Sequence, residues 1–372
     1  MLMNNCNVPF VNLAAQFATL KKELTESFVT IGESGHYVGG EIINSFEYEL
    51  ARLAGTRFAV AVANGTDALQ LSMKALNIGP GDEVVTAPNS FIATAGSIHA
   101  VGAKIRFAEV NNEYNIDPRK IEEAITEKTK AIIPVHLTGN PADMDPINAI
   151  AKKHNIFVIE DAAQAINASY KGRKVGSLGK IASFSLHPLK NFHLMGDAGF
   201  ISTDDEEIYS RLKKLQNHGL KNRDEAEFWG YNSRCDALQA AIGLQKIPFF
   251  DSWTERFREI ANKYHQCLAT YVECPVTSPD SNPVFHNFVI QVDNRDAIMA
   301  ELSLLGVETK VHYPIPLHLM HAAKGLGYQR GYFPLAERQS ERILSLPIYP
   351  ELTDEQVEYV IDSLIKVIEK GQ

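Results

Sequence analysis

Lys190 is the side chain whose surroundings most clearly predict covalent chemistry. It lies in residues 183–191 (SFSLHPLKN), ahead of a glycine-bearing turn at residues 196–199 (GDAG). A lone lysine is usually a solvated surface charge, but this one lies between apolar segments. Burial or a neighbouring cation would lower the pKa of its ε-amine, and a neutral amine attacks an aldehyde. The segment therefore predicts a lysine nucleophile.

A carboxylate follows another predicted strand. Residues 156–160 (IFVIE) are mostly apolar, and Asp161 comes directly after them. A carboxylate at the carboxyl end of a central strand is costly unless a cation or hydrogen-bond donors face it. Asp161 is therefore either the partner of a bound cation or the N-cap of the following segment.

A third segment is suited to binding one phosphate. Residues 64–69 (NGTDAL) follow the strand-like run FAVAV, and their glycine would let the backbone approach a ligand. The helix predicted to begin here offers unpaired N–H groups and a positive dipole. The alternative interpretation of this motif is an N-capped helix that binds no ligand. The GxGxxG turn of dinucleotide-binding proteins is absent.

These segments belong to a regular alternation of strands and helices. From about residue 58 to residue 200, short β-branched runs alternate with helical patterns. This alternation predicts an α/β fold whose mostly parallel sheet is sandwiched by helices, with ligands at the carboxyl ends of the strands. Pro248 interrupts an amphipathic stretch. We therefore expect a large domain over residues 1–247 and a smaller C-terminal α/β domain over residues 248–372.

Composition narrows the possible functions. The chain has 372 residues, 45% of them hydrophobic, and a formal net charge of −9 without a basic run, which argues against disorder and nucleic-acid binding. It shows no signal peptide and no apolar stretch long enough for a membrane, so we expect a cytoplasmic protein. The cysteines, Cys6 among them, lack metal or disulfide spacing. Prolines interrupt the run of His312, His318 and His321, and no carboxylate ligand is near, so no metal site is expected.

Taken together, the motifs resemble those of a known enzyme family over nearly the whole chain. The matching segments are GHYVGG at 35–40, NGTDAL at 64–69, GPGDEV at 79–84, FIATA at 91–95, IEDAAQA at 159–165, SLHPLKN at 185–191, GYNSRCDALQAAIGL at 230–244 and LSLPIYPELT at 344–353. In this order they resemble the DegT/DnrJ/StrS family of sugar aminotransferases. These enzymes use pyridoxal 5′-phosphate (PLP) and have the aspartate-aminotransferase fold, fold type I.

The resemblance implies a role for individual residues. Lys190 would bind PLP covalently and transfer protons, while Asp161 would pair with the pyridine nitrogen and keep it protonated. The remaining cofactor contacts would be Gln164 near the phenolic oxygen, Phe91 and Ala163 on the two ring faces, and Gly65, Thr66 and Ser185 at the phosphate. Without the resemblance, Phe91 would be assigned to the core.

The family also implies a homodimer with shared active sites. Asn232, in GYNSR, matches an asparagine that reaches the phosphate of the neighbouring subunit. The alternative is that Asn232 only stabilises a local turn, as asparagine often does.

The substrate branch is suggested by two further segments. Asp197, in GDAG, and the loop at 312–318 (HYPIPLH) are similar to the branch that aminates position 3 of a nucleotide-linked keto-sugar, although Ala198 departs from the family pattern. The amino donor would be L-glutamate. We assign Tyr313 and His318 to the wall facing the sugar. Lys221 and Arg223 are candidate contacts for the pyrophosphate, or simply part of an exposed basic loop.

Two alternatives stay open at this point. Some relatives replace the lysine by histidine and act as dehydratases, and this chain keeps Lys190. The second is a PLP-binding regulatory protein without catalysis. The presence of Lys190, Asp161 and Gln164 together, without an attached DNA-binding region, favours an aminotransferase over both.

Overall fold

A seven-stranded central sheet organises the larger part of the molecule. The computed structural model describes residues 7–371, so Cys6 lies outside the described residues. The strands within this range are β1 (Phe58–Val62), β2 (Glu83–Thr86), β3 (Lys104–Phe107), β4 (Thr129–Ile133), β5 (Phe157–Asp161), β6 (Ser169–Tyr170), β7 (Arg173–Lys174), β8 (Ile181–Ser185), β9 (Gly199–Thr203), β10 (Ser281–Asn282), β11 (Phe288–Gln291) and β12 (Ile343–Leu346).

Helices connect these strands and cover the sheet. They are α1 (Leu13–Thr19), α2 (Lys21–Ser34), α3 (Glu41–Ala54), α4 (Gly65–Ala75), α5 (Ile92–Ala100), α6 (Pro118–Ala124), α7 (Met144–His154), α8 (Glu206–Leu215), α9 (Ala237–Leu268), α10 (Arg295–Leu304), α11 (Pro334–Arg342) and α12 (Asp354–Gly371). Short 3₁₀ turns occur at Leu137–Gly139, Leu317–Leu319 and His321–Leu326.

The predicted mostly parallel sheet is confirmed. Its order is β1-β9-β8-β5-β4-β2-β3, and the strands from β8 to β3 run parallel, whereas β9 is antiparallel to both neighbours. The register pairs Asp161 on β5 with Ser183 on β8, which brings the ends of these two strands to one edge. The segment after β8, with Lys190, therefore begins beside Asp161.

Two main hydrophobic cores flank the proposed domain boundary. The larger core packs α3, α4 and the central sheet, and the second packs the end of α9 with β11, β12 and α12. The two-stranded antiparallel sheet of β11 and β12 lies in this second region. The division into residues 1–247 and 248–372 stays a prediction.

The expected interruption at Pro248 is wrong. Helix α9 runs without a break from Ala237 to Leu268, with Pro248 inside it. A proline in a helix removes one backbone hydrogen bond, which normally costs about 3 kcal/mol. Ile247 and Phe250 on either side are buried in the larger core, and packing of the helix offsets that loss.

No described helix is long and apolar enough to cross a membrane. The expected cytoplasmic location stays a prediction.

Candidate active site

A cavity of about 380 Å³ opens at the carboxyl ends of the parallel strands. Its walls come from the start of α4, the start of α5, the end of β5 and the segment after β8. Further lining residues come from the segments 10–13, 286–287, 312–313 and 348–351. Most of the predicted cofactor residues line it, namely Gly65, Thr66, Phe91, Asp161, Ala163, Gln164, Ser185 and Lys190.

Lys190 lies in the cavity on a turn that neighbouring elements support. Its backbone N–H donates to the carbonyl of His187 at 2.8 Å, and its carbonyl accepts from Nδ1 of His193 at 3.0 Å. Lys246 of α9 donates in turn to the carbonyl of His193 at 3.0 Å. Burial lowers the pKa of the Lys190 amine to about 8, against the opposing effect of the Asp161 charge. The direction of this pKa shift agrees with the prediction for a buried lysine.

Asp161 is buried at the end of β5 and faces the same cavity. Its Oδ2 accepts from the Thr94 hydroxyl at 2.7 Å, and its Oδ1 accepts from the backbone N–H of Ala163 at 3.3 Å. Burial raises the pKa of Asp161, while these bonds and the charge of Lys190 oppose the rise. No described helix begins here, so the structure does not support an N-cap role.

The residue before Asp161 holds the end of β5 in place. Glu160 is fully buried and accepts from Nε2 of His136 at 3.0 Å. Nδ1 of His136 accepts from the N–H of Ala142, so its Nε2 carries the proton. The Glu160 carboxylate also accepts three backbone N–H groups, from Gly176, Leu178 and Gly179. A buried carboxylate with this many donors is well satisfied and fixes the strand end.

The start of α4 forms a narrow cradle in the cavity wall. A Cβ on Gly65 would lie 2.7 Å from Cβ of Ser185, so no larger side chain fits there. Asn64 caps the helix, because its side chain accepts from the N–H of Asp67 at 2.8 Å. The helix is therefore N-capped at Asn64, which is compatible with either reading of the motif, and Gly65 and Thr66 of its first turn line the cavity. Phosphate binding at these residues stays a prediction.

The predicted ring contacts line the cavity as well. Phe91 is 50% exposed, which excludes its assignment to the core, and its ring centroid lies 5.5 Å from that of Tyr313. Nε2 of Gln164 donates to the Tyr313 hydroxyl at 3.4 Å, and its Oε1 accepts from the N–H of Thr138 at 2.7 Å. Tyr313 thus lies in the cavity wall, and its contact with the sugar stays a prediction.

His318 does not take its predicted place facing the sugar. Its side chain is buried, its Nε2 lies 2.9 Å from Oε1 of Glu337, and its ring packs edge-on against Phe333. The 3₁₀ turn at Leu317–Leu319 directs it away from the cavity, whose lining does not include it. The prediction for His318 is corrected.

Three other predicted contacts lie outside the cavity of a single chain. Lys221 and Arg223 are exposed, and Lys221 lies 3.8 Å from Glu225. Asn232 is exposed, and its side chain accepts from Nε of Arg234 at 3.2 Å. The role of Asn232 toward a second chain and the contacts of Lys221 and Arg223 with the pyrophosphate stay predictions. Within residues 7–371, no group of three or more His, Cys, Asp or Glu could hold a metal ion.

Several residues that contact the site were not predicted. Thr94 lies within the FIATA motif, but its hydrogen bond joins it to Asp161, which is 67 residues away in sequence. His286 and Asn191 form another long-range contact, Nδ1 to Oδ1 at 3.0 Å, beside Lys190. The walls at residues 10–13 and 348–351 were not predicted to line the site, because they come from segments distant in sequence from Lys190 and Asp161.

The residues present fit PLP. The Gly65 cradle suits its phosphate, the buried Asp161 carboxylate requires a positive group such as a protonated pyridine, and Lys190 offers an amine with a pKa near 8. Phe91 and Ala163 line the same cavity, and their predicted contacts with the two ring faces stay predictions.

Comparison with known proteins agrees with this geometry. The family model described as the DegT/DnrJ/EryC1/StrS aminotransferase family matches residues 18–365. The chain belongs to this family. The predicted family, the fold and the PLP cofactor are thereby confirmed. As a family member, the chain is a PLP-dependent aminotransferase.

Named relatives cover nearly the full length. The chain is 42% identical to the dTDP-3-amino-3,6-dideoxy-alpha-D-galactopyranose transaminase of Aneurinibacillus thermoaerophilus, over 96% of this chain and 98% of that one. It is equally 42% identical to a "pleiotropic regulatory protein" of Geobacillus stearothermophilus, over 96% and 98%. The crystal structure of DesV from S. venezuelae with a ketimine intermediate is similar at a TM-score of 0.95 and 39% identity, over 98% and 99%.

Replacing Gly65 by alanine tests the cradle. We expect Gly65→Ala to weaken PLP binding roughly tenfold or more, because the new methyl group overlaps Ser185. Fluorescence titration with PLP measures the loss. The matched control is Gly96→Ala in α5, where a Cβ meets nothing within 4 Å. That variant should bind PLP normally, and equal affinities for both variants would contradict the cradle.

Proposed function

We propose that this aminotransferase moves an amino group from L-glutamate to a nucleotide-linked 3-keto sugar, giving a 3-amino sugar for polysaccharide or glycan biosynthesis. The observation behind the proposal is that Lys190 and Asp161 face one cavity beside a phosphate cradle. The sugar-nucleotide substrate is inferred from the name of the Aneurinibacillus relative and from Asp197 and Tyr313 at the cavity wall.

Each of the chain's own groups has a distinct task. PLP, when bound, supplies an electron-withdrawing ring that makes the C–H bond next to the amino group breakable. Lys190 moves the proton, because an amine with a pKa near 8 takes up and returns protons close to neutral pH. Asp161 places a negative charge where the ring nitrogen must stay protonated. Gln164 orients Tyr313 at the wall.

Charge in the cavity supports a contribution from a second chain. Asp161, Asp197 and Glu351 line it, whereas Lys190 is the single lysine or arginine among its described lining residues. The phosphate of PLP and a sugar-nucleotide diphosphate are both anionic, so additional positive charge from a second chain would favour binding of the diphosphate. We propose that Lys221 and Arg223 of a second copy supply it at the pyrophosphate.

We further propose that the enzyme is a homodimer in which Asn232 completes the phosphate site of the other subunit. Asn232 is exposed in a loop that pairs with Asn217, ahead of α9, and is free to contact a neighbouring molecule. The competing role is stabilisation of the local turn, through its bond with Arg234.

Mixing two inactive variants tests the shared site. Lys190→Ala and Asn232→Asp should each be inactive or severely impaired, since the introduced carboxylate repels the phosphate. A mixed dimer has one site with both changes and one intact site, so subunit exchange should restore part of the activity. Confirmed exchange without recovery, or full activity of Asn232→Asp alone, would refute the shared site.

A substrate panel tests the proposed reaction itself. The enzyme is incubated with L-glutamate and UDP-, dTDP- or GDP-linked 3-keto sugars. We expect one acceptor to give stoichiometric 2-oxoglutarate and a product whose NMR spectrum places nitrogen at C3. A product with nitrogen at C4 would refute amination at C3. Conversion of the sugar without 2-oxoglutarate would instead indicate a dehydratase.

The name of the Geobacillus relative raises a regulatory role beside the aminotransferase activity. A protein that only senses PLP would bind it through Lys190 and yet release no 2-oxoglutarate from glutamate with any acceptor. Membership of an aminotransferase family argues against such a protein, and the same panel checks this.

A further inference from the structure

Two hydroxyl groups stand in line behind Asp161. Oγ1 of Thr94 lies 2.7 Å from Oδ2 of Asp161, and Oγ of Ser90 lies 2.7 Å from Oγ1 of Thr94. The three residues are only 4%, 1% and 3% exposed, for Asp161, Thr94 and Ser90 in turn. Both hydroxyl-bearing residues also line the cavity, at the N-terminal end of α5.

The direction of the protons follows from the chemistry of these groups. An ionised carboxylate only accepts hydrogen bonds, so Thr94 must donate its single proton to Asp161. The Thr94 oxygen is then left as an acceptor, and Ser90 must donate to it. Such a chain polarises each bond and strengthens the one that reaches the carboxylate.

We propose that Thr94, with Ser90 behind it, is a positioning residue that keeps Asp161 ionised and fixes which oxygen faces the PLP ring nitrogen. The inference rests on the proposed function of Asp161. The Thr94 hydroxyl donates to Oδ2 of Asp161, and the backbone N–H of Ala163 donates to Oδ1 at 3.3 Å. Rotation of the carboxylate would break the shorter of these two bonds.

The Thr94 hydrogen bond opposes the effect of burial on the charge of Asp161. Burial raises the pKa of Asp161, and the Thr94 hydrogen bond is the largest of the effects that lower it. The weaker opposing effects come from the backbone N–H of Ala163 and from the charge of Lys190. Among this chain's own groups, the Thr94 hydroxyl is therefore the principal support for the ionised form of Asp161.

The experiment replaces the hydroxyl and measures the ring nitrogen directly. Thr94→Val keeps the shape of the side chain but leaves Oδ2 of Asp161 without its donor. In the PLP-loaded enzyme, ¹⁵N-labelled PLP reports by its chemical shift whether the ring nitrogen is protonated. We expect this nitrogen to lose its proton at lower pH in Thr94→Val and kcat to fall roughly tenfold to a hundredfold. Thr94→Ser should restore both.

The control is another buried threonine in the same part of the fold. Thr86 at the end of β2 donates to the carbonyl of Ile133 at 2.9 Å and is fully buried. Thr86→Val should lower the melting temperature without changing the ¹⁵N titration. An unchanged titration in Thr94→Val, or an equal change in Thr86→Val, would overturn the proposal.

A double variant separates this inference from the role of Asp161. If Thr94 acts through Asp161, adding Thr94→Val to Asp161→Asn should change neither kcat nor the ¹⁵N shift further. A large loss in Asp161→Asn with a normal Thr94→Val would refute the positioning role alone. A normal Asp161→Asn would refute the proposed function of Asp161 itself.

Discussion

Lys190→Ala is expected to abolish turnover, with a fall in rate of roughly 10⁴-fold or more. Among lysine and arginine residues, Lys190 alone lies in the described cavity lining, so no neighbouring amine can take over covalent attachment and proton transfer. The visible absorption that the lysine–PLP adduct gives should disappear as well. Stopped assays of each half-reaction, together with absorption spectra, measure the two effects.

Folding should survive the loss of Lys190. Its side chain makes no hydrogen bond that an alanine would leave broken, while the backbone bonds to His187 and His193 are retained. The melting temperature of Lys190→Ala should therefore stay close to that of the parent. Lys246→Ala is the matched control, because Lys246 is also buried and has a pKa lowered by burial to about 8, but it points at the His193 carbonyl. It should keep the visible absorption. A Lys190→Ala protein that still completes both half-reactions would disprove the central assignment.

Asp161→Asn is expected to bind PLP yet to lose roughly 10²-fold or more of the rate. A neutral amide cannot stabilise a protonated pyridine, so the ring would draw fewer electrons from the substrate. The side chain keeps its size and can still accept from Thr94 at the position of Oδ2. The loss should therefore appear in kcat more than in the dissociation constant of PLP.

Steady-state kinetics and PLP titration on the same Asp161→Asn protein distinguish these effects. The control is Asp197→Asn, a change of the same kind in the cavity lining, at a residue outside the proposed pairing with the ring nitrogen. It should leave protonation of that nitrogen unchanged, whatever it does to substrate affinity. A near-normal kcat for Asp161→Asn would mean that its charge is not used.

The part of the site that the sequence predicts best is the part formed by short segments. Asp161 ends a strand of the central sheet, Gly65 and Lys190 follow two others, and parallel strands bring such positions to one edge. Short sequence motifs are therefore enough to predict the chemistry of these three residues. The cofactor itself required the family resemblance, because a strand-end aspartate and a lysine alone are also compatible with other sites.

The wrong predictions for His318 and Pro248, and the missed contact of Thr94, depend on tertiary contacts that a short stretch of sequence does not reveal. His318 lies in a proline-rich loop, and only the turn at Leu317–Leu319 and the distant Glu337 decide which way its ring points. Pro248 predicts a helix end from backbone chemistry, but burial on both sides overrides that tendency. Thr94 reaches Asp161 only through the fold, since neither residue is near the other in sequence.

Helix α9 makes the two hydrophobic cores mechanically dependent on each other. Its first half is packed in the larger core, its last turns in the second, and Lys246 between them supports the turn of Lys190 through His193. The helix has 32 residues and is about 48 Å long, so one element reaches from the smaller core to the support of the lysine turn. Fraying of α9 from its C-terminal end as far as Lys246 would therefore remove a contact that holds the Lys190 turn.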